Sequence, residues 1–279
     1  MSKKINTNGN YKIEKNDEYC FVHENNILKK IKDNYRKKGS ELNTFYNDKY
    51  KTFKKEINSL HFTIENEENF RKAAKIFEKY MADLEKFAST NEIKSQSKFS
   101  SSFLEEMSFH LFKDLEEIKS NELEFKNKKI FSGLRFNSDL NLEILTKDVD
   151  FCIGKKMSIK LGNEKPIEVF LPIVTVEKKT YIDSTMFGEV KSSNRNLKNA
   201  VLNCKTFLLV GYVNMDVKNL HSIKYEAFLN GIFVLKKDQN DKKIDEMTLF
   251  RYWEEVKKSI KDFKTEKRIE FPGVILWND

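Results

Sequence analysis

Three charged side chains near the middle of the chain, Asp150, Glu177 and Lys179, have the types and spacing that could hydrolyse a phosphodiester bond. Glu177 and Lys179 directly follow the apolar, β-branched run 173–176. Because side chains alternate along a strand, Glu177 and Lys179 should share one face, while Lys178 joins the apolar residues on the other. An acid beside an ammonium, with a second acid from another strand, suits metal-assisted hydrolysis. The leading interpretation is a nuclease site.

Asp150 lies in the alternating segment 146–153, where an acid enters an apolar strand. If the two strands are antiparallel neighbours, Asp150 will lie beside Glu177. Mg²⁺ is usually held by one or two carboxylates together with water and substrate phosphate, so these two acids are candidate metal ligands. Lys179 would orient the attacking water or stabilise developing charge. Asp148, two residues away on the same face, is the competing candidate, and a turn-edge aspartate is the structural alternative for Asp150.

A third acid could come from a helix predicted over residues 102–120. The apolar stripe of this helix places Glu105 at its edge, whereas Glu106 points further away. Glu105 could therefore reach the site as an additional ligand, either directly or through water. Its other possible role, as the capping-box partner of Ser102, is equally open.

The elements that must position these residues follow from apolar periodicity. Helices are predicted over 25–60 with a break at Gly39, and over 67–88, 102–120, 186–203 and 248–263. Strands are predicted over 142–145, 149–153, 169–176, 207–213 and 231–235. The 26 residues between Asp150 and Glu177 require a hairpin, with its turn at 161–163.

This order predicts an α/β protein with a mixed-sheet core flanked by helices and an N-terminal helical region. We place the helical region in residues 1–95, as a possible DNA-contact or dimerisation element. The core with a C-terminal extension then occupies residues 96–279, and the polar, Ser-rich stretch 89–102 marks the boundary.

Composition favours a polyanionic partner. Lys and Arg number 51 against 43 Asp and Glu, a net charge of +8, and the pI is about 9.0. An AT-rich genome would also raise the lysine content, so charge alone leaves DNA binding open. Four basic or amide residues after the Glu177 strand, Lys191, Asn194, Arg195 and Lys198, would contact double-stranded DNA if their segment were a loop entering the cleft. Each of them alone also fits a polar loop at a helix cap.

Several other kinds of site are disfavoured. Cys20, Cys152 and Cys204 form no CxxC pair, which argues against a zinc site or a disulfide framework and suits a reducing cytosol. The four histidines form no metal-binding pattern, and the chain has neither a phosphate-binding glycine loop nor a GxSxG elbow, so no nucleotide cofactor is expected. The N-terminus lacks an apolar signal segment, and no apolar run approaches the ~20 residues of a membrane span. We expect a soluble cytoplasmic protein with no membrane partner.

Taken together, Asp150, the strand segment Glu177-Lys178-Lys179 and the helix-borne Glu105-Glu106 resemble the PD-(D/E)xK nuclease superfamily. Residues 176–186, Val-Glu-Lys-Lys-Thr-Tyr-Ile-Asp-Ser-Thr-Met, are similar to the catalytic segment of type II restriction endonucleases of the DdeI-like group. There an acid-x-lysine strand continues into Thr-Tyr-hydrophobic-Asp-x-Thr-Met. The resemblance covers roughly residues 100–213, and Val149 stands where the superfamily often has proline.

The resemblance implies a restriction-endonuclease-like fold and a Mg²⁺-dependent endodeoxyribonuclease of a restriction-modification system. Such an enzyme cuts a short specific site in double-stranded DNA and commonly acts as a homodimer. The implied roles are Asp150 and Glu177 as metal ligands, Lys179 as the catalytic lysine, and Glu105 or Glu106 as the helix-borne acid. Two alternatives stay open: a repair or recombination nuclease of the same superfamily, and a non-enzymatic basic DNA-binding protein.

Overall fold

The structure is a computed structural model that describes residues 20–94, 97–139, 141–160, 165–216, 218 and 228–265. His221 and the predicted turn at 161–163 lie outside these residues. Among the helices described, none has the length and apolar content that crossing a membrane would require.

Four helices form the N-terminal region: α1 (Val22–Lys32), α2 (Gly39–Phe45), α3 (Lys51–Asn58) and α4 (Glu67–Thr90). The predicted break at Gly39 is confirmed, because a short 3₁₀ turn separates α1 from α2, which begins there. A π-helical turn, Tyr46–Tyr50, carries α2 directly into α3. Buried aromatic side chains at helical spacing, such as Tyr50 and Phe53, turn this region towards a common core.

The main sheet has five strands in the order β1-β4-β5-β6-β7. The pairs β1–β4 and β4–β5 are antiparallel, whereas β5–β6 and β6–β7 are parallel, which confirms the predicted mixed α/β class. The strands are β1 (Glu124–Lys126), β2 (Ile130–Phe136), β3 (Leu142–Lys147), β4 (Phe151–Ile159), β5 (Ile167–Ile182), β6 (Lys205–Val213) and β7 (Gly231–Val234). Strands β2 and β3 form a separate two-stranded hairpin.

The remaining helices are α5 (Ser101–Phe112), α6 (Glu116–Lys119), α7 (Ser184–Ala200) and α8 (Glu246–Thr265). Helices α5 and α8 share one hydrophobic cluster with Phe151, Val176 and Leu209, so we call this side of the sheet the α5 face. Helix α7 packs with Cys152 and Leu208 in the clusters on the other side, the α7 face. The cluster of the α5 face also includes the N-terminal helices, and the division at residue 95 stays a prediction.

Helix α5 differs from its prediction at both ends. It ends at Phe112 rather than near residue 120, and its N-cap, Ser100, makes no side-chain capping hydrogen bond. The predicted capping box of Ser102 with Glu105 is therefore wrong. Ser102 lies inside the first turn, where its hydroxyl is buried against α1, 2.9 Å from Nδ1 of His23.

A buried carboxylate joins α5 to the N-terminal helices. Oε2 of Glu106 accepts the backbone N–H groups of His23 and Glu24 at 2.9 and 3.0 Å, and Oε1 accepts the Tyr50 hydroxyl at 2.7 Å. The N-cap of α1, Phe21, offers no side-chain cap, so Glu106 satisfies the free N–H groups at the start of that helix from a distance. The same carboxylate therefore fixes the orientation of α1 against α5.

The buried His23 should make stability depend on pH. Burial lowers the pKa of His23 from its ordinary 6.5 to about 4, with Nε2 held 2.8 Å from the Tyr80 hydroxyl. Because the folded pKa lies below the unfolded one, stability present above pH 6.5 is lost as the pH falls towards 4. We expect a loss of up to about 3 kcal/mol in the free energy of unfolding, measured in urea at about pH 7.5 and about pH 4.5.

The control is His23→Gln, which keeps hydrogen-bonding capacity but does not titrate. Its stability should change less over the same range. Burial also lowers the pKa of His110, so a smaller dependence of the same sign should remain. Equal pH dependence in the two proteins would contradict the assignment to His23.

Candidate active site

The predicted pairing of the two acidic strands can be checked against the β4–β5 register. These strands are antiparallel with Phe151 opposite Val176, so one further step along the register sets Asp150 opposite Glu177. Strand β4 begins at Phe151, whereas β5 runs on to Ile182. The edge of β5 from Glu177 onwards therefore extends past the start of β4, and we call this place the notch. The hairpin required between the two acids is confirmed.

Asp150 closes the notch. Its Oδ2 accepts the backbone N–H of Lys178 at 2.7 Å. Strand N–H groups point within the plane of a sheet, so this carboxylate lies at the strand edge rather than over one face. Asp148, the competing candidate, instead accepts the backbone N–H of Lys129 at 3.0 Å. The geometry favours Asp150 as the acid that accompanies β5.

Lys178 is a neighbour of the site that the sequence analysis did not assign to it. Its side chain is buried on the α5 face, where Nζ donates to the backbone carbonyl of Glu105 at 2.9 Å and lies 4.5 Å from the ring centre of Phe151. Burial lowers the pKa of Lys178 to about 7, although Glu105 and Asp150 act in the opposite direction. The sequence did contain a sign of this position: side chains alternate along β5, so Lys178 falls on the same buried face as Val174 and Val176.

Glu105 interacts electrostatically with both Lys178 and Asp150. Burial and, to a smaller extent, the negative charge of Asp150 raise the pKa of Glu105 to about 7, against the opposing effect of Lys178. The carboxyl groups of Glu105 and Asp150 thus both interact with the Lys178 ammonium beside the notch. Glu106, in contrast, is bound to α1 and Tyr50, as described above, and does not face Asp150.

Glu177 and Lys179 lie on the α7 face. In the parallel register they are opposite Leu208 and Val210, both members of the α7-face cluster, which confirms the predicted alternation. Oε1 of Glu177 is 2.9 Å from Nζ of Lys147, which comes from the end of β3. The structure thus relates Asp150 to Glu177 by register and to Glu105 by charge. Glu105 and Glu177 belong to opposite faces, with Asp150 at the edge between them.

The four candidate DNA-contact residues all lie on helix α7, which confirms the helix predicted over 186–203, so the condition that their segment be a loop entering the cleft is not met. Helical spacing of the buried Phe187, Val190 and Leu197 draws this segment onto the sheet instead. Asn194 is 1% exposed, and in the part of the chain that is described neither of its amide atoms has a hydrogen-bond partner. In this conformation it does not reach DNA.

The other three residues are differently placed. Arg195 is exposed. Nζ of Lys191 lies 5.4 Å from the ring centre of Phe228. Lys198 is partly buried, and burial together with the nearby Lys205 lowers its pKa. Direct DNA contacts by Lys191, Arg195 and Lys198 stay predictions.

The described residues contain no group of three or more His, Cys, Asp or Glu placed to hold a metal ion. Mg²⁺ needs fewer protein ligands, because water and substrate phosphate complete its octahedron. Asp150 and Glu177 would supply the hard carboxylate oxygens that such an ion prefers. Burial is the main cause of the raised pKa of Glu105, and the smaller part that comes from the charge of Asp150 is of the kind that a nearby cation relieves.

Comparisons with known proteins agree with this architecture. No curated protein matches the chain. A solved structure described as the native BbvCI A2B2 tetramer matches with a TM-score of 0.71 and 16% sequence identity, over 92% of this chain and 100% of the other. At that identity the match shows a common fold. Residues 96–264, more than half of the chain, match the family described as Bpu10I restriction endonuclease. The chain therefore belongs to the Bpu10I restriction endonuclease family, a family of nucleases that act on DNA.

Proposed function

We propose that this protein is a Mg²⁺-dependent type II restriction endonuclease of the PD-(D/E)xK superfamily, in its DdeI-like group. It hydrolyses phosphodiester bonds at a short specific site in double-stranded DNA. One observation supports the proposal most directly: β4 pairs with β5 up to Phe151 opposite Val176, and Asp150, directly before β4, accepts the N–H of Lys178 beside Glu177. Lys179 then follows two residues later on the face of Glu177.

Asp150 and Glu177 would hold the Mg²⁺ ion. Bound there, the ion would polarise the phosphodiester and lower the pKa of a coordinated water. The N–H of Lys178 orients the Asp150 carboxylate at the strand edge, which supports this role. Its other oxygen, Oδ1, could face the site.

The reaction adds water to phosphorus and breaks the bond to the 3′ oxygen, leaving a 3′ hydroxyl and a 5′ phosphate. Lys179 would donate a hydrogen bond to the attacking water or to a phosphate oxygen, where negative charge develops. Glu105, with its pKa near neutrality, would accept or return a proton from its position beside Asp150.

Helix α7 is suited to place DNA relative to this strand. It begins directly after β5, where Oδ1 of Asp183 caps it by accepting the N–H of Met186 at 2.8 Å. The exposed Arg195 would contact DNA from this helix, and the net charge of +8 would favour approach of the duplex. Two neighbours on the same helix, Lys191 and Lys198, could add phosphate contacts.

We further propose a cytoplasmic homodimer, because a two-fold symmetric DNA site presents one scissile phosphate to each of two identical subunits. The matching BbvCI structure is described as an A2B2 tetramer, so a larger assembly is the competing state. Light scattering of the purified protein, with and without a duplex, distinguishes a dimer from a tetramer.

Digestion of a sequenced plasmid tests the function. With Mg²⁺ we expect discrete fragments whose ends map to one short sequence, and no cleavage with EDTA. A smear of fragments would indicate a repair or recombination nuclease instead. Binding without any cleavage would indicate the non-enzymatic DNA-binding alternative.

Lys179→Ala should lower the single-turnover cleavage rate by about 100–1000-fold, the range seen when one donor to developing charge is removed. Duplex affinity and thermal stability should change little, because Lys179 is only partly buried. The matched control is Lys156→Ala, which removes an exposed lysine of β4 that pairs with Glu124.

The rival assignment makes Lys178 the catalytic lysine. Lys178→Met keeps the backbone N–H that binds Asp150 and removes only the buried ammonium. If Lys178→Met abolished cleavage while Lys179→Ala left it nearly intact, the assignment of Lys179 would be wrong.

A further inference from the structure

One lysine from outside the proposed catalytic set reaches the candidate metal site. Nζ of Lys147 lies 2.9 Å from Oε1 of Glu177, and the two side chains are only 18% and 13% exposed. We propose that Lys147 is a positioning residue that holds the place of the metal: it neutralises Glu177 in the metal-free protein and must leave that carboxylate when a divalent cation binds. This inference rests on the proposed function, because it takes Glu177 as a metal ligand.

The position of Lys147 is fixed by the fold. It is the last residue of β3, paired with Ile130 of β2. Ile130 is fully buried in a cluster with Leu197 of helix α7. The β2–β3 hairpin is therefore anchored against the helix that packs on the face of the sheet carrying Glu177, which brings the ammonium group to this carboxylate. Lys179 differs from Lys147 because it lies on β5, the same strand as Glu177, and is not brought there by the hairpin.

Because both are positively charged, Lys147 and a divalent cation should not bind Glu177 at the same time. A half-buried carboxylate is costly without a compensating cation, and Lys147 supplies one. A divalent ion on the same carboxylate would stand within a few ångströms of the ammonium group and repel it strongly, because screening by water is reduced at partly buried positions. Binding of the metal and contact of Lys147 with Glu177 must therefore oppose each other.

The structure offers the displaced ammonium a destination. Lys147 also lines an open groove of about 820 Å³ between the β2–β3 hairpin and α7, beside Thr146, Ser193 and Asn196. In the proposal, the Lys147 side chain moves from Glu177 into this groove by rotation about its own bonds. There a phosphate of bound DNA can take over as its counter-ion. Lys147 would then make DNA and the divalent ion favour each other's binding.

Mn²⁺ binding to the full-length protein without DNA tests this, with free Mn²⁺ followed by electron paramagnetic resonance. Lys147→Met removes the competing charge but keeps most of the side-chain volume. We expect it to bind Mn²⁺ roughly tenfold more tightly than the unaltered protein, within the usual range of coupling between two ligands. Lys147→Gln should act in the same direction, and Lys147→Arg should stay close to the unaltered protein. The matched control, Lys156→Met, removes an ion pair with Glu124 elsewhere on β4 and should leave Mn²⁺ affinity unchanged.

A second readout uses a short duplex. The gain in Mn²⁺ affinity on adding DNA should be smaller in Lys147→Met than in the unaltered protein, because no ammonium remains to be transferred to a phosphate. Equal or weaker Mn²⁺ binding by both Lys147→Met and Lys147→Gln would overturn the inference, as would an equal gain in Lys156→Met. Failure of the metal site itself looks different: Mn²⁺ binding that Glu177→Gln leaves unchanged would overturn the proposed function as well.

Discussion

Glu177→Gln is expected to lower the rate of duplex cleavage by at least about 1000-fold at saturating Mg²⁺. The substitution keeps the size of the side chain but removes the negative charge that would hold the cation. The charge stabilisation that a metal supplies is several kcal/mol, and each 1.36 kcal/mol corresponds to a tenfold change in rate. Asp150→Asn should have an effect of similar size.

Single-turnover cleavage of a duplex that contains the mapped site measures this loss, and fluorescence anisotropy measures DNA binding in parallel. Duplex affinity should remain, because Glu177 makes no favourable contact with phosphate. The matched control is Glu168→Gln, which alters an exposed glutamate of the same strand, away from the notch. Cleavage within tenfold of the unaltered protein would remove Glu177 from the active site.

Glu106→Ala is expected to produce the largest loss of stability, about 3–5 kcal/mol in the free energy of unfolding. The substitution leaves three buried donors without their acceptor: the N–H groups of His23 and Glu24 and the hydroxyl of Tyr50. It also frees the start of α1 from α5. Urea unfolding at neutral pH measures the change.

Glu106→Gln should lose less, because its carbonyl oxygen can still accept from part of this set. The control, Glu41→Ala, removes an exposed ion pair between Glu41 of α2 and Lys38, directly before that helix, and should change stability little. A loss in Glu106→Ala no greater than in Glu41→Ala would contradict the capping role. The substitution Glu105→Ala distinguishes the roles of the two neighbouring acids. It should lower the cleavage rate more than the free energy of unfolding, whereas Glu106→Ala should mainly lower the free energy of unfolding.

Much of the core could be predicted because it depends on local pattern. The β-branched run before Glu177 and the apolar run in β6 define strands by themselves, and alternation then fixes the faces of Glu177, Lys178 and Lys179. The spacing of Phe187, Val190 and Leu197 likewise defines helix α7. The helix predicted over 186–203 is itself incompatible with a loop through Asn194 entering the DNA cleft.

The features that could not be predicted depend on contacts between residues distant in the chain. The capping of α1 by Glu106 joins positions 83 residues apart, and local spacing suggested a capping box for Ser102 that the structure replaces with a contact to His23. The meeting of Lys147 with Glu177 depends on the placement of a separate hairpin against α7. The spacing of charged residues along the chain does not indicate which residues they will pair with, so these partners are seen only in the folded structure.

The most direct test of the account is a crystal structure of the protein with a duplex and Ca²⁺, an ion of the hard-oxygen class that Mg²⁺ also belongs to. The account predicts one Ca²⁺ at about 2.3–2.6 Å from carboxylate oxygens of both Asp150 and Glu177, with a scissile phosphate beside it. An ion bound elsewhere, with these two carboxyl groups directed to opposite sides of the sheet, would contradict it.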